Sequence, residues 1–180
     1  MKIFLSLSIL FLLFSPLYAE EDKNKKEKIF IETLSNSVIS EMNADLEKWT
    51  DQKMIEELSK IVLNDEEIKK LYLEFKNTIV NPPNPDNYKE YSIENGEESL
   101  RKVTQLGHKI HNLGLAISDE DFKKYGTLLQ IMRDVLYLDS KHIPLAIKHD
   151  NSRDVFWYEL HNKGVKEAED IYNELFNNNE

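Results

Sequence analysis

The sequence predicts an all-α fold: a single-domain bundle of five or six amphipathic helices, with a proline-rich loop in the middle and a cleavable signal peptide in front. Three observations carry this. From Lys25 onward, apolar residues recur at steps of three and four, the period that lines them along one face of an α-helix. No stretch of useful length alternates apolar and polar residues as a half-buried strand does. Residues that start helices, Asn64, Ser118 and Ser152, stand just ahead of new apolar stripes.

The chain opens with a different pattern. Lys2 is followed by an apolar run, Ile3 to Phe14, then Ser15-Pro16-Leu17-Tyr18-Ala19 and the acidic Glu20-Glu21-Asp22. A positive start, a greasy run, a breaker and a small residue form the order of a secretory signal, here 1–19. The run is shorter than the roughly 20 residues a membrane-spanning helix needs. The expected location is therefore the bacterial periplasm or the medium, with no membrane span once the signal is removed. The domain occupies 20–180.

The first helix is expected from about Lys25 to Trp49, with Ile31, Leu34, Val38, Met42, Leu46 and Trp49 on one stripe. Thr50-Asp51 restarts the chain into a second helix carrying Met54, Ile55, Leu58, Ile61 and Val62. Asn64 then caps a third, whose first-turn acids Asp65, Glu66 and Glu67 complement the helix dipole. Its apolar stripe is Ile68, Leu71, Tyr72, Phe75 and Ile79. Pro82, Pro83 and Pro85 end that run, because proline removes amide donors and favours an extended path. The loop, 81–94, holds Tyr88 and Tyr91 and is read as a connection inside one domain.

A fourth helix runs from about Glu97 to Ile117, and a fifth, capped by Ser118, to about Ser140. The short turn between them makes the pair antiparallel neighbours. Pro144 is expected to open a separate short piece, Leu145 to Lys148, and Ser152 to cap the last helix. Gly107, Gly114, Gly126 and Gly164 fall inside these helices, where each costs about 1 kcal/mol against alanine. Close helix contact, or a large ring filling the space of the missing side chain, is the expected compensation.

The net charge of −10 argues against nucleic acid and anionic membrane surfaces, both of which reward clustered lysine and arginine. The absence of cysteine excludes disulfides, thiolate metal sites, cysteine nucleophiles and a lipid anchor on cysteine. No Gly-x-Ser-x-Gly elbow, His-Glu-x2-His pair, phosphate loop or dinucleotide fingerprint occurs. The carboxylate pairs sit mostly in first helical turns, where the dipole accounts for them.

The histidines, His108, His111, His142, His149 and His161, are the residues with most chemical reach, because imidazole is the commonest metal ligand near neutral pH. His108 lies opposite the apolar stripe of its helix and is expected to be exposed, with His111 on the flank. A metal site would draw on His111, His142, His149 and His161, with Asp139 and Asp150 beside them in sequence. Asp139-x2-His142 supplies one carboxylate-x2-histidine step, where a ferritin-like di-iron bundle uses two. The layout also resembles that of the periplasmic four-helix-bundle cytochromes: an export signal, helices, a proline-rich connection, then a hairpin ending in histidine. The likeness covers layout alone, and the helices after His142 depart from it. It implies haem held between Met42 and His142.

Phe156-Trp157-Tyr158 follow Val155, and successive helical residues turn by about 100°, so these four cannot all face one core. Two placements are open: a terminal helix wedged between layers, or an exposed aromatic contact for a partner. The function expected on balance is a non-enzymatic binding or accessory protein of the bacterial envelope. Its partner would be another envelope protein or a second copy of the chain. A metal- or haem-binding bundle is the alternative.

Overall fold

The computed structural model describes residues 40–80, 82, 96–147 and 154–177. The expected signal segment, the start of the first helix, all of the loop 81–94 but Pro82, and His149, Asp150 and Ser152 lie outside the described residues. Within them the fold is all-helical: α1 (40–47), α2 (Gln52–Leu58), α3 (Asp65–Thr78), α4 (Gly96–Ala116), α5 (Asp119–Ile147) and α6 (Asp154–Phe176).

Local chemistry sets the helix starts. The Asp51 carboxylate accepts from the Lys53 and Met54 amides and begins α2. The Asn64 side chain accepts from the Glu67 amide at 3.1 Å and begins α3. At α5 the Ser118 hydroxyl accepts from the Asp121 amide at 3.1 Å and donates to the Asp121 carboxylate at 2.8 Å. Each cap satisfies donors that a helix N-terminus otherwise leaves open.

The bundle is organised around α5. Leu128, Leu129, Ile131, Met132, Val135, Leu136 and Ile143 are all 1% exposed or less, so the middle of α5 is deeply buried, while Lys123, Lys124, Thr127 and Lys141 toward its ends stay exposed. A helix with so wide an apolar face belongs at the centre of a bundle. Val103, Leu106, Ile110 and Leu113 of α4 cover one side, Trp157, Leu160 and Ala168 of α6 another, and Ile68, Leu71 and Phe75 of α3 complete the core.

The fifth helix does not stop near Ser140. It runs on through Pro144 to Ile147. Proline costs one ladder hydrogen bond and tends to kink a helix, but Ile143 is fully buried and His142 stacks on Trp157, which hold the last turn in place. Tertiary packing outweighs the local breaker.

Two glycines mark the closest approaches. A methyl group at Gly107 would stand 2.6 Å from the Trp49 ring, and one at Gly164 would stand 2.5 Å from a methyl of Val135. The first is a ring lying over a bare helix surface, the second a helix pressed against α5.

Candidate functional site

Three places gather the chemically capable side chains. The first is the α5–α6 contact. Asp139 is fully buried, and its Oδ1 accepts from Trp157 Nε1 at 2.9 Å and from His161 Nδ1 at 2.8 Å. Its Oδ2 is buried with no hydrogen-bond partner among the described residues. His142 lies flat against the other side of the contact, its ring 5.5 Å from that of Trp157 at 17°. Further along, Arg133 and Asp134 form an interior ion pair, 2.8 and 2.6 Å from Nε and Nη2 to one carboxylate oxygen, with both side chains almost wholly enclosed. Glu167 of α6 has its carboxyl pushed up by burial, and the charges of Asp134 and Asp170 act in the same direction, against Lys163.

The second place is a polar knot where the α1–α2 turn crosses α4. Asn112 donates to the Trp49 and His108 carbonyls, both at 2.8 Å, and accepts from the Asp51 amide at 2.7 Å. Thr50 Oγ1 lies 3.1 Å from His111 Nε2. The Trp49 ring tilts over His108 at 4.8 Å and meets Tyr137 edge-on at 5.8 Å. Asp45 reaches across to Tyr137 and Lys141 of α5. Those two contacts, with Lys48, hold the Asp45 carboxyl far below its usual range.

The third is an open cleft of about 690 Å³ where the N-terminal ends of α3 and α5 meet. Asp65, Glu66 and Glu67 line one wall, and Glu120 and Asp121 the other. Lys124 and the Tyr125 hydroxyl bridge the walls by donating to Asp65 Oδ1 at 2.7 and 2.5 Å. Chain-adjacent to the Leu63 edge, Ile61 and Val62 are 50% and 81% exposed.

The sequence-predicted residues are thus divided among separate settings. Asp139 and His161 do come together, and His142 joins them through the Trp157 ring. His111 is on another face, packed against Thr50, with the Arg133 charge bearing on it. It is 5% exposed, deeper than a flank position implies, and His108, expected to be exposed, is half-buried. The reason is the α1–α2 turn, which covers that side of α4. Among the described residues no three of His, Asp and Glu gather to hold a metal. Met42 is buried on α1, whose polar contacts to α5 run from Asp45 to Tyr137 and Lys141, whereas His142 turns to α6.

The aromatic run splits. Trp157 is fully enclosed and engaged with Asp139, so it belongs to the interior and offers no surface to a partner. Tyr158 is half-buried, and the Phe156 side chain lies outside what the structure describes. Arg133, Asp134 and Asn112 were invisible to sequence reasoning, because charged and amide side chains default to the surface. No helix among the described residues is long and apolar enough to cross a membrane. No protein-family model, curated protein or solved structure matches the chain.

Proposed function

We propose that the chain is an exported, non-enzymatic helical binding or accessory protein of the bacterial envelope. Its polar groups are occupied in joining helices: buried Asp139 joins α5 to α6, buried Asn112 joins α4 to the α1–α2 turn, and exposed Asp65 joins α3 to α5. What remains for recognition is the surface, and the observation that carries the reading is the aliphatic tip Ile61–Val62. Two adjacent branched side chains held in water, next to an acidic cleft, combine apolar contact with directional charge. The occupant that suits both is a segment bearing cationic and apolar side chains. A second copy of a chain with net charge −10 suits the cleft poorly.

A photo-crosslinking residue at Val62, introduced into the whole chain in its own cells, tests this. One envelope protein should form the adduct from position 62 but not from the exposed Leu73, and Ile61→Ser should cut the yield about tenfold. Equal adducts from both positions, or no loss on Ile61→Ser, would remove the tip from the account. Sedimentation of the purified chain separates a partner from self-association.

A further inference from the structure

We draw no further inference here: the strongest candidate, the buried side-chain cluster of Asp139, Trp157 and His161 at the α5–α6 contact, is already occupied in joining those two helices and, among the described residues, gathers no third His, Asp or Glu with which to hold a metal.

Discussion

At His111 the surroundings favour the neutral ring, and this ties stability to pH with a definite sign. The unfolded chain takes up its proton near the ordinary value of 6.5, the folded chain only near about 4. Between these values the unfolded state binds more protons, so stability falls as pH falls. The full effect is about 3 kcal/mol, present above the unfolded value and lost on passing through the folded one. Glu167 works the other way: its raised carboxyl favours the protonated form, so its contribution is present in acid and lost as pH rises. Urea unfolding of the parent and of His111→Gln across this window isolates the histidine, and the variant should show the shallower slope. Asp139 makes a second residue-level prediction. Asp139→Ala leaves the enclosed Trp157 and His161 donors without an acceptor and should cost about 3 kcal/mol. Asp139→Asn keeps an oxygen where Oδ1 stands and replaces only the partnerless Oδ2, so its cost should be about 1 kcal/mol. Equal losses in denaturant would show that charge, not hydrogen-bond acceptance, matters there.

Between helices, the glycines separate two effects that sequence alone merges. Alanine gains about 1 kcal/mol over glycine in a helix interior. At Gly164 the added methyl meets a branched Val135 side chain at 2.5 Å. Valine has little rotamer freedom in a helix, so α6 itself must shift, and the net change should be a loss of about 1–3 kcal/mol. Val135→Ala in the same chain should relieve part of it. At Gly126 the neighbour is the Phe122 ring of the same helix, at 3.0 Å and only partly buried. That ring can turn aside, so Gly126→Ala should be neutral or stabilising by a few tenths of a kcal/mol. Thermal melting of the three variants checks the order. Pro144 gives the converse lesson: a residue that reads locally as a break sits inside α5, because just ahead of it Ile143 is buried and His142 is stacked on Trp157 of α6.

Across the molecule, what was legible in the sequence was what neighbours in the chain decide. The helical class, the caps at Asn64 and Ser118 and the stripe of α3 follow from residues within one or two turns. Burial decided across long separations was not legible. His111 is enclosed rather than merely flanking because Thr50, 61 residues away, lands on α4. Trp157 is inside because Asp139 offers its indole an acceptor, and Arg133 and Asp134 are inside because the middle of α5 is enclosed by its neighbours. The close contact at Gly107 was foreseeable as a type, a ring over a bare surface, but not that Trp49 would supply it. The same arrangement bears on the order of assembly. α4 and α5 are joined only by Ile117 and Ser118, so their mutual burial closes a short loop and can form early. The Trp49–Thr50 contact closes a long one and gains nothing until α4 and α5 are paired. Leu129→Ala should therefore slow folding, with a φ-value above about 0.5, while Trp49→Ala should leave the folding rate nearly unchanged and speed unfolding.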